Sequence, residues 1–253
     1  MFNQIIDTIS HTIALTNRTF LNEYSDYIIK DWKSHYVCYD LLQMDYKKAK
    51  DTISFCCHTP DEVCCEVAQF ELLLIQEIRK FTSFISSEFL AISNALDDIV
   101  GDYSKLSDSA KRKLKDEEQK TTYRIVRDLY IKQERLGKFF KLNVFICHKL
   151  GKKFDKILQK LRSGPLSWES FDSYKLFQED SQTCISDSIS IREKILNTYS
   201  LLFREDYHQL AEGELEYFKS KDGNLKRMPY WLGLKTGIVL SLVSGMTDSN
   251  VWF

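Results

Sequence analysis

A row of lysines beyond the middle of the chain is the feature of this sequence best suited to bind a charged ligand. Lys149, Lys152, Lys153 and Lys156 are spaced i, i+3, i+4 and i+7, which places them on one side of a helix. We call these four residues the lysine row, and Lys160 extends the same line. Like charges four residues apart destabilise a helix by about a few tenths of a kcal/mol. The row therefore predicts either an anion site or an ordinary solvated face.

The helix that carries the lysine row has an apolar side opposite the lysines, which is predicted to pack in a core. Residues 142–162 are predicted to form this helix, and Ser163-Gly164-Pro165 is predicted to end it. The apolar side consists of Ile146, Cys147, Leu150, Phe154, Ile157, Leu158 and Leu161.

Helical spacing of apolar residues recurs along the chain, and no strand-like alternation occurs, so the fold is predicted to be all-α. Residues 19–50 are predicted to form a helix with one apolar-aromatic face. A long helix is predicted over 61–100, as in an elongated bundle. Gly101 to Ser109 is predicted to be a polar turn, and Gly137 to interrupt the helical pattern. Further helices are predicted over 2–16, 119–139 and 204–220, and one helix or a pair of helices over 168–203.

Charge and cysteine content bear on the ligands and the cellular setting of the protein. The net charge of −1 gives no broad basic surface, so nucleic-acid binding is not expected. Seven cysteines without a signal peptide indicate reduced thiols in a cytosolic setting.

No constellation of residues predicts an enzyme, a metal site or a cofactor. The cysteines and histidine of Cys56-Cys57-His58 and Cys64-Cys65 do not have the spacing of known zinc sites. The five histidines are scattered, and the cations near His148 are expected to disfavour its charged form. Phosphate loops and metalloprotease or serine-hydrolase motifs do not occur.

The end of the chain is more apolar than the rest. Tyr230 to Met246 is close to the lower limit of about 17 residues for a membrane span, and Lys226-Arg227 would suit its cytoplasmic flank. A core helix at the end of a soluble domain explains the same residues equally well.

Three stretches together resemble an SPX domain, as found in the SPX–EXS phosphate exporters of the xenotropic and polytropic retrovirus receptor type. Asp31 to Leu42 resembles the opening helical hairpin of that family, with its Trp and its Tyr-x-x-Tyr. Lys141 to Leu158 resembles the family's Leu-Asn…Lys-Lys-(aromatic or His)-Asp-Lys signature, and Tyr230 to Ile238 resembles the start of the first EXS membrane helix.

The resemblance implies an N-terminal helical hairpin on an elongated bundle with two long helices, followed by one C-terminal hydrophobic helix. The implied domains are an extension over 1–18, an SPX-like core over 19–162, and C-terminal SPX helices with a linker over 163–225. Residues 228–253 would be the start of an EXS membrane domain, so that the chain stops within the first membrane helix of a longer transporter.

The resemblance also implies the function: sensing of phosphate status through inositol polyphosphates or pyrophosphates. By position, Tyr39 and the lysine row match the family's ligand-binding residues. Two departures weaken the match. Gln43 stands where the family has a lysine, and the family's N-terminal lysine is absent, with Arg18 as its nearest substitute. Arg18, Gln43 and Lys160 are additional candidates for ligand contacts.

The expected partners follow from the same resemblance. They are inositol polyphosphates or pyrophosphates, a membrane contacted through the C-terminal helix with the SPX part on the cytoplasmic side, and a second copy in a homodimer of the parent transporter. The alternative explanation is a helical scaffold or interaction protein with a degenerate SPX fold, in which the lysine row is only a solvated face.

Overall fold

The computed structural model describes residues 28–55, 60–106, 116–159 and 167–203, together with Gly213. Within these ranges the chain is helical and contains no strand, which confirms the all-α prediction for the described part. The elements are a 3-10 helix at Lys30–His35, α1 at Tyr39–Phe55, α2 at Pro60–Lys105, α3 at Asp116–Leu158, a 3-10 helix at Trp168–Ser170, and α4 at Asp172–Phe203.

Helix α2 confirms the long helix predicted over 61–100. Its 46 residues correspond to about 70 Å at 1.5 Å per residue. Every apolar position that defined the predicted face is buried, because one stripe at helical spacing faces the core along the whole length. These residues are Val67, Phe70, Leu74, Ile78, Phe81, Ile85, Phe89, Ile92 and Leu96.

Helix α3 differs from the prediction in one respect. The interruption predicted at Gly137 is wrong, because Asp116–Leu158 is one continuous helix of 43 residues. Glycine lowers helix propensity by only about 1 kcal/mol, and buried neighbours such as Leu136 and Phe139 hold the helix through it. The polar turn predicted from Gly101 is likewise wrong as far as Lys105, where α2 ends.

The single helix predicted over 19–50 is also wrong within the described residues. After the 3-10 helix, Tyr36 adopts an extended backbone with φ −67° and ψ 150°, and α1 begins only at Tyr39. The predicted aromatic face is therefore split between two elements. Tyr36, Tyr39 and Leu42 are nevertheless buried, as expected for a packing face.

The described residues divide into two compact units. Unit 1 comprises the described residues up to Thr82 and those from Lys141 to Gln182, and unit 2 comprises those from Ser83 to Phe140 and from Thr183 to Phe203. The lysine row lies in unit 1.

The core of unit 1 is aromatic around Phe154. Its ring stacks on Phe70 at a centroid distance of 5.1 Å and meets Phe171 edge-on at 4.9 Å. The predicted apolar side of the lysine helix is confirmed, because each of its described members is buried. Leu161, the remaining member, lies outside the described residues.

Unit 2 has its own core. Tyr123 and Tyr199 both pack against Phe203, at centroid distances of 5.6 Å and 5.1 Å. Phe84 of α2 meets Phe139 of α3 edge-on at 5.3 Å.

Several predicted segments lie outside the described residues: the leader over 2–16, Cys56-Cys57-His58, the helix over 204–220 apart from the helical Gly213, and the apolar segment Tyr230 to Met246. No helix in the described part of the chain has both the length and the apolarity needed to cross a membrane.

Candidate anion-binding site

The start of α1 is held by two side chains that are distant in sequence. The backbone N–H of Val37 donates to Asn143 Oδ1 at 2.8 Å, and that of Cys38 donates to Glu77 Oε2 at 2.6 Å. Asn143 is fully buried on α3, in the Leu-Asn part of the SPX-like signature. These bonds satisfy backbone donors that would otherwise be orphaned at a helix start, and they fix the point from which Tyr39 extends.

Tyr39 meets the lysine row. Lys153 Nζ donates to Tyr39 Oη at 2.6 Å, and Lys149 Nζ lies 5.6 Å from the centre of the Tyr39 ring. Lys153 Nζ is also 4.7 Å from that centre, but the short hydrogen bond to the hydroxyl is the dominant contact. The structure therefore brings together Tyr39, Lys149 and Lys153, which the sequence assigned to one site.

The other two lysines of the row are exposed on α3. Neither Lys152 nor Lys156 forms an ion pair with any described residue. Asp155 has the i+3 spacing that could pair with Lys152, but its Oδ1 accepts the backbone N–H of Trp168 at 2.6 Å instead. The nearest acid on the helix thus binds another group, and the charges of Lys152 and Lys156 are left open to solvent.

Of the other predicted site residues, only Gln43 lies within the described part of the chain. Gln43 is half-buried on α1, one turn after Tyr39. Arg18 and Lys160 lie outside the described residues.

Three residues of α1 adjoin the row and were missed from the sequence. The Tyr46 ring centre lies 5.5 Å from Lys153 Nζ. Asp40, whose carboxylate is buried beside Lys153, and Lys47 both act electrostatically on that ammonium group. Their signal in the sequence is helical spacing from Tyr39, because positions i+1, i+7 and i+8 lie on or beside the side of the helix that position i occupies.

Electrostatics at the centre of the row favour an added anion. Burial lowers the pKa of Lys153, and the cations Lys47 and Lys156 lower it further, whereas Tyr46 and Asp40 act in the opposite direction. Burial also raises the pKa of Asp40, against the effect of Lys153. A bound anion would relieve the repulsion among the three cations and favour the charged form of Lys153.

On the side of α3 away from the lysine row, the Trp168 indole packs closely against Gly151. Gly151 leaves no room for a side chain there, because a Cβ would overlap the Trp168 indole. Trp168 Nε1 donates to Ser173 Oγ at 3.0 Å, and the Ser173 N–H donates to Glu71 Oε1 at 3.2 Å. This contact orients the helix that presents the lysine row.

Two titratable side chains of α3, His148 and Cys147, adjoin the lysine row in sequence. The pKa of His148 is lowered, as the sequence predicted, but burial is the largest cause and Lys152 comes second. Burial raises the pKa of the Cys147 thiol, so the thiolate is disfavoured. No group of three metal-ligating side chains occurs among the described residues.

Comparisons with protein-family models, curated proteins and solved structures give no match to this chain.

Proposed function

We propose that the chain binds inositol polyphosphates or pyrophosphates through Tyr39 and the lysine row. The observation that supports this most directly is the 2.6 Å hydrogen bond between Lys153 and Tyr39, which joins two helices at the centre of the row. Lys149 stands beside the same ring, and Lys152 and Lys156 continue the charge along α3.

A ligand with several phosphate groups suits this arrangement better than a single phosphate. Hydrogen bonds between ammonium groups and phosphate oxygens contribute about 1.5–3 kcal/mol each. A row of four lysines extends over about two turns of helix, which exceeds the size of one phosphate. Ligands with phosphates around a ring can engage several lysines at once.

We further propose that this binding regulates a phosphate exporter and so contributes to phosphate homeostasis, as the resemblance to SPX–EXS proteins implies. The parent protein would lie in a membrane, with the described helices on the cytoplasmic side. Fluorescent fusions of the chain with and without residues 228–253 test the membrane part. Membrane recovery that depends on those residues is expected, and identical soluble distribution of both fusions would contradict it.

Calorimetric titration with inositol hexakisphosphate tests the binding. The wild-type chain should bind, and the Lys149→Ala/Lys153→Ala variant should bind about ten- to a hundredfold more weakly. The matched control is Lys175→Ala, an exposed lysine of unit 1 that pairs with Asp172 at 3.1 Å; it should bind like the wild type. Absence of binding, or equal binding by all three proteins, would contradict the proposal.

A helical scaffold without ligand sensing is the second candidate. The observation that favours it is that Lys153 already has internal contacts with two aromatic rings and a hydroxyl group. In that case the lysine row tolerates substitution, and loss of Lys153 lowers stability without any ligand-dependent effect.

A further inference from the structure

Helix α1 has a cation, Lys47, that the resemblance to SPX domains does not assign to the site. Gln43 occupies the position where an SPX domain has a lysine, so α1 lacks the expected charge there. Lys47 lies four residues after Gln43. Residues at this spacing are neighbours on a helix surface, with Cβ atoms about 5–6 Å apart.

Four residues of α1 surround Gln43 at helical spacing. Tyr39 precedes it by four residues, Asp40 by three, and Tyr46 and Lys47 follow it by three and four. All of these neighbours act on Lys153: it bonds the Tyr39 hydroxyl, lies 5.5 Å from the Tyr46 ring centre, and interacts electrostatically with the charges at 40 and 47. The Lys153 ammonium group therefore lies next to this part of α1, close enough to interact electrostatically with Lys47.

Lys47 is available to a ligand. Its side chain is exposed and forms no ion pair with any described residue. The next residue, Lys48, is different: it pairs with Asp45 at 3.3 Å, and at 100° per residue it lies on the side of α1 opposite Tyr39. Two adjacent lysines of equal charge are thus placed differently relative to the lysine row.

We propose that Lys47 is a phosphate-contacting residue of the site and supplies from α1 the cation that Gln43 lacks. This inference rests on the proposed function, because it concerns the same ligand. It implies that the ligand is held between cations of α1 and α3, displaced by one turn along α1 relative to the family arrangement. Ligands with phosphates on opposite sides of a ring fit this requirement.

Titration of the full chain with inositol hexakisphosphate tests the inference. Lys47→Ala should weaken binding about tenfold, and Lys47→Glu should weaken it further, since it places a negative charge beside the phosphates. Lys48→Ala, which changes the net charge by the same amount, should stay within about twofold of the wild type. Thermal unfolding of each variant checks that these exposed substitutions leave the fold intact.

The outcomes separate the inference from the proposed function. If the wild type binds and Lys149→Ala/Lys153→Ala does not, but Lys47→Ala binds like Lys48→Ala, the role of Lys47 is overturned and the site on α3 stands. If Lys47→Ala and Lys48→Ala weaken binding equally, only net charge matters, and the placement of Lys47 is again overturned. If the wild type does not bind, both proposals fail.

Discussion

Cations are used differently in the two units. In unit 2, three of them join helices through ion pairs: Arg192 with Glu134 at 2.9 Å, Lys194 with Asp97 at 2.7 Å, and Lys132 with Glu88. In unit 1, three lysines pair with acids of their own helix, three residues away: Lys48 with Asp45, Lys80 with Glu77 and Lys175 with Asp172. Lys47, Lys152 and Lys156 of unit 1 have no such pair with a described residue.

The comparison separates charge that connects helices from charge without an ion pair, which the proposed function assigns to a ligand. The pairs of unit 2 neutralise charge on both of the helices that they join. On α3, Lys152 and Lys156 lack such neutralisation by a described residue, and Asp155 between them binds the Trp168 backbone.

The largest effect is expected from glycine substitutions at two sites on α3, one in each unit. Gly151→Ala should destabilise the protein by about 1–3 kcal/mol, because the added methyl group would displace the Trp168 indole. Gly137→Ala is the matched control. No atom lies within 4 Å of a Cβ there, so it should stabilise the helix by up to about 1 kcal/mol. Chemical denaturation gives the free energy of unfolding of each variant. Equal changes in the two variants would contradict the close packing of Trp168 against Gly151.

The next effect concerns the cation missing from α1. Gln43→Lys should tighten binding of inositol hexakisphosphate about tenfold, since it adds an ammonium group between Tyr39 and Lys47. Gln76→Lys, at an exposed position of α2 in the same unit, adds the same charge on a different helix. Calorimetry that finds no difference between these variants would rule out a local role for position 43.

A smaller gain is expected from removing the acid beside the row. Asp40→Asn should tighten anion binding by a few fold, because the buried carboxylate of Asp40 opposes a phosphate near Lys153. Asp45→Asn is the matched control, since Asp45 is equally buried at 7 % exposure and pairs with Lys48. A comparable gain in both variants would indicate a general charge effect rather than a site effect.

The smallest effect is a dependence on pH. Since burial and neighbouring cations lower the pKa of Lys153, anion affinity should be complete below that pKa and decline as pH rises through it, before an ordinary lysine with a pKa of about 10.4 titrates. Stability without ligand should change in the opposite direction over the same range, because the unfolded chain then binds more protons. Lys153→Arg should remove this early decline, and an unchanged pH profile would show that another group is responsible.

Apolar spacing predicted the buried faces well because burial depends on a pattern within one helix. The stripe from Val67 to Leu96 and the side of α3 opposite the lysines both follow from the 3.6-residue repeat. The lysine row followed from the same repeat. The same repeat did not predict that the helix continues through Gly137. There, tertiary contacts outweigh the low helix propensity of glycine.

Contacts between distant segments could not be predicted. The break before α1 depends on Asn143 and Glu77, which lie 106 and 39 residues from the backbone groups that they bind. The parts played by Asp40, Tyr46 and Lys47 depend on how α1 lies against α3, and no local pattern specifies that register. The engagement of Asp155 by Trp168 likewise arises only in the folded chain.

The most direct test is a titration of the wild-type chain with inositol hexakisphosphate at low and high salt, alongside Lys153→Ala from unit 1 and Lys194→Ala from unit 2. We expect the wild type and Lys194→Ala to bind equally, with an affinity that falls steeply as salt screens the charges, and Lys153→Ala to bind about tenfold more weakly. Equal affinities for the two variants, or no binding by the wild type at low salt, would contradict the assignment of the lysine row as a polyphosphate site.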